Sequence, residues 1–473
     1  MSEGSLEAPT RHPIAWREDA FYDPAEIDKE LRRVFDICHG CRRCFNLCDS
    51  FPRLFDLVDA SPTQELDGVD SKDFGPVIGA CTLCDMCYMT KCPYVPPHPF
   101  NVDFPHLMLR HRAMEAKQGK VPFVDKQLAE TDRNGRLATL VAPLANWATA
   151  RDNKIVGPIL RKVADFHPDA ELPEYASKTL MAQSKVPQSG VAQPGVARSG
   201  VAPAVNREAP ANGRKAVLYA TCFGNYNNPR VGTDLIAVLA RNGVETATVQ
   251  PRCCGMPMLE QGRIDGVAAN ARVVAAEMEP WIDKGYDVIA LVPSCALMLK
   301  FEWKLILPDD PAVDKLSRAT FDISEYIMDI AKKEGLAPGL RPIAGTLSLH
   351  MACHARAQNM GQKAAQMLRL IPEANVKVIE RCSGHGGAWG FKREWFDVAM
   401  KVGRPVARQA ARNGAGFVMS ECPLAGVHIA QGIEKQGIEK QGIEQQNSDG
   451  PKPELVSHPV QMLARSYGIG SQG

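Results

Sequence analysis

Apolar positions along the chain change period at about residue 214. Before it, Phe51, Leu54, Phe55, Leu57 and Val58 fall at helical spacing, and 105–117, 126–130 and 157–166 also read as helices. After it, short apolar runs alternate with helical patterns. Lys215–Thr221, Val244–Val249 and Tyr286–Val292 predict buried strands, with helices at 230–242, 262–279 and 295–306. The order then repeats, with strands at Gly345–Met351, Asn375–Glu380 and Gly416–Ser420 and helices near 360–370, 391–412 and 424–431. Strands alternating with helices imply parallel sheets.

Two tracts break the pattern. SGVAQPGVARSGVAP recurs with period five within 183–213, where Pro and Gly without aromatic residues predict a flexible linker. QGIEKQGIEKQGIEQQ at 431–446 also has period five; glycine at that spacing follows no helical face, so it reads as a surface insertion. The expected organisation is therefore α+β and multidomain. It comprises an N-terminal segment (1–36), a cysteine-rich helical domain (37–104), a helical connector (105–182), a linker (183–213) and two α/β repeats (214–343 and 344–468).

Charge changes this picture little: 55 basic against 54 acidic side chains leave a net +1, which excludes charge-steered nucleic-acid binding. The first residues lack the apolar core of a signal peptide. The uncharged run Leu137–Ala150 is too short to span a bilayer and contains Pro143. A cytoplasmic protein is expected, with peripheral contact at the inner face of the cell membrane. Trp147 with Arg151, Lys154, Arg161 and Lys162 is the segment suited to that contact. Fifteen cysteines without an export signal point to metal binding or redox chemistry rather than disulfides.

Eight of them form two runs, Cys38-x2-Cys41-x2-Cys44-x3-Cys48 and Cys81-x2-Cys84-x2-Cys87-x4-Cys92-Pro93. Zinc usually takes separated pairs of cysteines. Three closely spaced thiolates suit three irons of a cubane, and in two-cluster ferredoxins the fourth cysteine of each run serves the other cluster. The expected sets are Cys38, Cys41, Cys44 and Cys92 for one [4Fe–4S] cluster, and Cys81, Cys84, Cys87 and Cys48 for the second, in a ferredoxin-type domain.

The α/β repeats carry six matched cysteines: Cys222, Cys253 and Cys295 correspond to Cys353, Cys382 and Cys422. All lie at or just past predicted strand C-termini, where α/β folds build their sites. The first half adds Cys254, so Cys222, Cys253, Cys254 and Cys295 form a four-thiol set; Ser383 stands at the matching place in the second. Gly255 and its counterpart Gly384 are expected to let backbone approach the bound centre.

Taken together, CHGCRRCFNLC (38–48), CTLCDMCYMTKCP (81–93), RCCGMP (252–257), PSCALMLK (293–300), HMACHARAQNMG (350–361), RCSGHGGAWGFK (381–392) and HPVQML (458–463) resemble the heterodisulfide-reductase-related, CCG-domain iron–sulfur proteins. Within them, the likeness is to the iron–sulfur subunits of anaerobic glycerol-3-phosphate dehydrogenase and, more distantly, glycolate oxidase. The resemblance implies a duplicated cysteine-rich domain and electron transfer from a flavoprotein dehydrogenase to a quinone. In relatives it implies disulfide reduction at the CCG site, the alternative function here.

The fullest family pattern supplies five thiolates per half, ending in C-x2-C, whereas this chain has Met298 and Ala425 at those last places. The first half keeps enough thiols for an iron–sulfur cluster. The second keeps three, with His354 and His385 as candidate substitutes, and is expected to be empty or to hold zinc. No Gly-x-Gly-x-x-Gly or Walker A motif opens a helix, so a partner is expected to supply the flavin.

Overall fold

The computed structural model describes residues 7–184, 203–414, 416–441 and 453–469. Two four-stranded parallel sheets organise its C-terminal part. The first, β1 (Lys215–Tyr219), β2 (Glu245–Val249), β3 (Asp287–Ala290) and β4 (Thr320–Asp322), has the order β2-β1-β3-β4. The second, β5 (Thr346–His350), β6 (Asn375–Ile379), β7 (Gly416–Ser420) and β8 (Glu454–Val456), repeats it as β6-β5-β7-β8. Leu218 lies between Thr248 and Ile289, and Leu349 between Val378 and Met419. All six expected strands form. The sequence pattern does not reveal β4 and β8, three-residue strands too short to display a period.

The N-terminal part is helical. Pro24–Cys41 is one helix: Asp23 Oδ1 accepts from the N–H groups of Ala25 (2.8 Å) and Glu26 (3.0 Å), and Ile27, Leu31, Val34 and Phe35 form its buried face. The boundary drawn at residue 36 therefore falls inside this helix, whose last turn carries Cys38 and Cys41. Phe51, Leu54, Phe55 and Val58 of the helix Ser50–Asp59 join the same core, which continues into Val217, Met298 and Trp303 of the first repeat. A second core links the repeats through Leu218, Leu239, Tyr326, Leu349, Met367 and Leu463.

Short helices form the connector: Phe104–Lys117, Phe123–Leu128, Thr131–Leu140, Ala142–Thr149 and Gly157–Val163. The helix Ala142–Thr149, with Pro143 tolerated in its first turn, goes beyond the expected elements. Arg161, counted as a lipid-facing base, is turned inward and donates to the carbonyls of Ala170 (2.7 Å) and Thr149 (2.8 Å). Two other expectations change. Residues 203–213 pack on the first repeat, with Ala211 buried and Asn206 N–H bonded to the Ala240 carbonyl (2.9 Å), while 185–202 of the expected linker lie outside the described residues. The helix Pro423–Gln441 runs into the second period-five tract, because four of every five residues there favour helix; 442–446 are outside the description. No helix among the described residues is long and apolar enough to cross a membrane.

The segment before the first helix fastens the halves together. Arg11 donates to Asp85 (2.8 and 2.9 Å), Asp103 (2.8 and 3.1 Å) and Glu302 (3.2 Å), joining the second cysteine run, the residue that caps the helix Phe104–Lys117, and the first repeat. Burial alone would lower its pKa; the three carboxylates outweigh it and raise the guanidinium. His106 Nε2 lies 3.2 Å from Glu302 on the other side. Replacing Arg11 by Met strands buried carboxylates, so a loss of about 3–5 kcal/mol is expected. A lowered denaturant midpoint, with the cluster absorption lost in the same transition, measures it.

Candidate metal centres

The first cysteine run straddles a helix end. Cys38 and Cys41 occupy the last turn of Pro24–Cys41, and Arg42, left-handed at φ 51°, turns the chain toward Cys44 and Cys48. In the second run, left-handed Leu83 and Asp85 separate Cys81, Cys84 and Cys87. Alternation of right- and left-handed residues points successive N–H groups into one concavity, a nest for anionic sulfur.

The fold brings sulfurs of the two runs together. Burial raises Cys38 well above its usual value, and the neighbouring thiols Cys92, Cys44 and Cys41 add to the rise. Cys44 is pushed up to about 12 by burial, then by Cys92 and Cys41. Cys48, raised by burial, instead has Cys84 and Cys81 beside it, and Cys87 has Cys84, Cys81 and Cys48. Sulfurs clustered in this way resist becoming thiolates together. Bound iron removes that conflict by supplying the missing positive charge.

In the first α/β half every thiol follows a strand. Cys222 opens a helix after β1, Cys253 and Cys254 follow β2, and Cys295 lies in the helix Pro293–Leu297 after β3. Cys222 Sγ is 3.9 Å from Cys253 Sγ, while Cys254 neighbours Cys253 and Cys295. Hydrogen bonds from Cys222 and Cys254 hold Cys253 below its usual value. The surrounding backbone is pinned by Trp303 Nε1 to the Cys254 carbonyl (3.1 Å), Asn270 to the Cys253 carbonyl (3.2 Å) and Tyr219 OH to the Arg252 carbonyl (2.5 Å). Sequence reasoning missed Asp132, delivered from the connector to accept the Cys253 N–H and the Gln250 side chain (2.9 Å). Burial and Cys253 lift its carboxyl to about 6. Its only sequence signal was a lone acid in a helix N-terminal turn.

The second half repeats this arrangement with three thiols. Cys353 neighbours Cys382 and Cys422. His354 cannot supply the missing ligand as placed: its Nδ1 pairs with Ser294 Oγ (2.8 Å) and its Nε2 with the Leu83 carbonyl (3.3 Å). His385 is 8% exposed, and its Nδ1 has no hydrogen-bond partner. Among the described residues no three His, Cys, Asp or Glu donors converge on one ion. A polynuclear cluster binds its thiolates through separate irons, so it does not require three donors converging on one ion.

The two glycines act on the thiols through their backbone N–H groups. Gly255 (φ 86°) and Gly384 (φ 77°) direct their N–H groups onto Cys253 Sγ (3.4 Å) and Cys382 Sγ (3.3 Å). Their open faces meet protein. A Cβ at Gly384 would lie 2.0 Å from the Ala399 carbonyl oxygen, and one at Gly255 would lie 3.2 Å from Val267. The HPVQML motif is also architectural: His458 Nδ1 accepts from the Val460 N–H (3.1 Å), and Gln461 bonds Asp234 (2.9 Å).

Spatial order departs from chain order. Cys84 of the second run neighbours Cys382 and Cys353, and Cys422 neighbours Cys295. The thiols of the second half are therefore neighbours of both the second cysteine run and the first half. All seven α/β thiols, with Cys81 and Cys84, open on one cavity of about 1210 Å³.

The cysteine-rich domain model matches residues 216–300 and again 347–430. Each half of the α/β part thus matches the cysteine-rich CCG domain. Over 298 residues it is 27% identical to a subunit of the anaerobic glycerol-3-phosphate dehydrogenase of Escherichia coli (strain K12), spanning 62% of this chain and 69% of that protein. It is 26% identical over 229 residues to a subunit of the fumarate reductase (CoM/CoB) of Methanothermobacter marburgensis, covering 47% of this chain and 43% of the relative. An uncharacterized iron-sulfur protein of Methanocaldococcus jannaschii is 26% identical over 231 residues, 48% of this chain and 43% of its own. These relatives and the CCG repeats support iron–sulfur clusters as what the gathered thiols hold. Cys92→Ser is expected to alter the EPR signal of the cluster on the first run, and Cys48→Ser that of the second. Effects confined to each residue's own run would overturn the crossed sets.

Proposed function

We propose that this chain is the iron–sulfur electron-transfer subunit of an oxidoreductase complex, taking electrons from a flavoprotein dehydrogenase and delivering them to a quinone. The observation that carries the reading is an unbroken file of thiol sets. The first run adjoins the second through Cys44 and Cys87, the second reaches Cys353 and Cys382 through Cys84, and Cys422 adjoins Cys295. Clusters held there, two of them [4Fe–4S], supply one-electron steps. The protein's own part is to bury them, aim N–H groups at sulfur and keep neighbouring sets adjacent. The relatives named as parts of a dehydrogenase and a reductase support the need for a partner.

Peripheral membrane contact belongs to the same reading. Among the described residues, ten of the fifteen exposed large apolar side chains lie within 123–163, including Leu140 (78% exposed), Trp147 and Ile155 (75%). Exposed Arg136, Lys154 and Lys162 accompany them. An apolar surface edged by bases suits the headgroup region of an anionic bilayer.

Reduction of the purified, cluster-loaded chain by its substrate is expected only when the flavoprotein is added. Turnover of a disulfide by the chain alone would favour the disulfide-reductase alternative. Cys353→Ala is expected to slow electron arrival at the first CCG half, read by freeze-quench EPR; an unchanged rate removes the second half from the path. The chain should also float with anionic liposomes, and Leu140→Glu with Ile155→Glu should abolish flotation.

A further inference from the structure

Glu260 is the acid the relay leaves unexplained. It ends the short helix Met256–Glu260, which Gly255 caps after Cys253 and Cys254, and its side chain lines the shared cavity. Its carboxylate faces the loop at Gly387, where a Cβ would stand 2.8 Å from one carboxylate oxygen and 2.9 Å from the other; glycine keeps that space open. Arg112, the nearby cation, gives its guanidinium to the carbonyls of Ile78 (2.8 Å), Cys81 and Glu260 itself (3.2 Å). Among the described residues no side-chain hydrogen bond or ion pair holds the Glu260 carboxylate. Burial of such an acid favours its protonated form, and its place on a cavity wall makes it a candidate for proton transfer.

We propose that Glu260 is the proton donor to an acceptor reduced in this cavity, a role that rests on the quinone reading above. Trp389, Trp395, Phe391 and Phe166 line the same space and suit a flat aromatic molecule. Converting a quinone to a quinol adds two electrons and two protons, turning both carbonyl oxygens into hydroxyls. The electrons come from the reduced flavoprotein through the clusters. Glu260 gives its carboxyl proton to the nearer quinone oxygen, regains one from water and gives the second. Supplying protons in place avoids leaving negative charge on the reduced acceptor. Burial lifts this carboxyl to about 7, with Arg112 opposing and Cys253 adding to the rise, so the acid form is available below neutral pH.

The test compares wild-type, E260Q and E260D full-length chains, cluster-loaded, prereduced and offered a soluble naphthoquinone or ferricyanide, which accepts electrons without protons. E260Q is expected to slow naphthoquinone reduction by about 100-fold, with ferricyanide reduction and cluster EPR unchanged and E260D intermediate. Wild-type quinone reduction should fall as pH rises through about 7. The infrared carbonyl stretch of a protonated carboxylic acid should fade across that range in wild type and be missing from E260Q. An unchanged quinone rate in E260Q, an equal loss with ferricyanide, or an altered EPR signal overturns the donor role. If wild type reduces ferricyanide but never the naphthoquinone, the quinone reading itself fails and the donor role falls with it.

Discussion

Burying many thiols together is the constraint on which the rest of this structure depends. A single buried cysteine behaves as a small hydrophobe, but four in one nest oppose each other's ionisation. Cys38, Cys48, Cys87 and Cys353 are all raised by burial first and by neighbouring sulfurs next. Such nests gain stability when a cation-rich cluster enters them. The surrounding architecture then has one task, which is to hold each sulfur where its cluster requires it.

Different devices do this in the two parts of the molecule. In the helical part, left-handed residues at helix ends (Arg42, Leu83 and Asp85) bend the chain so that sulfurs and N–H groups share a concavity. In the α/β part, parallel strands deliver cysteines to one edge, and glycines at positive φ turn N–H groups back onto sulfur. Arg11, bonded to three carboxylates from separate regions, fixes the two parts relative to each other. Spacing between thiol sets is therefore set by a buried ionic junction as well as by apolar packing.

Much of the fold could be read in the chain because its signals were local. The six longer strands were short apolar runs between turn residues, and the duplication was visible in matched cysteine offsets. What escaped had weak local signals. β4 and β8 are three residues each, and their pairing depends on a neighbour already in place. The helix Pro24–Cys41 was hidden by its polar surface, although Asp23-Pro24 was a usable start signal. Arg161 looked like a surface base because sequence cannot say which way a side chain turns.

The sequence by itself determined the chemistry: cysteine triplets spaced for polynuclear binding, a vicinal pair before glycine, and two α/β repeats carrying them. Those features depend on residues a few positions apart, and short-range geometry suffices to interpret them. Only the tertiary structure decided which centres are neighbours, with the thiols of the second half beside both Cys84 and Cys295, because that comes from packing residues hundreds of positions apart. The same holds for Asp132 at the Cys253 turn, His354 spent on hydrogen bonds, and Glu260 left facing the cavity. Each is an ordinary residue in the chain, and its role comes from which distant elements surround it.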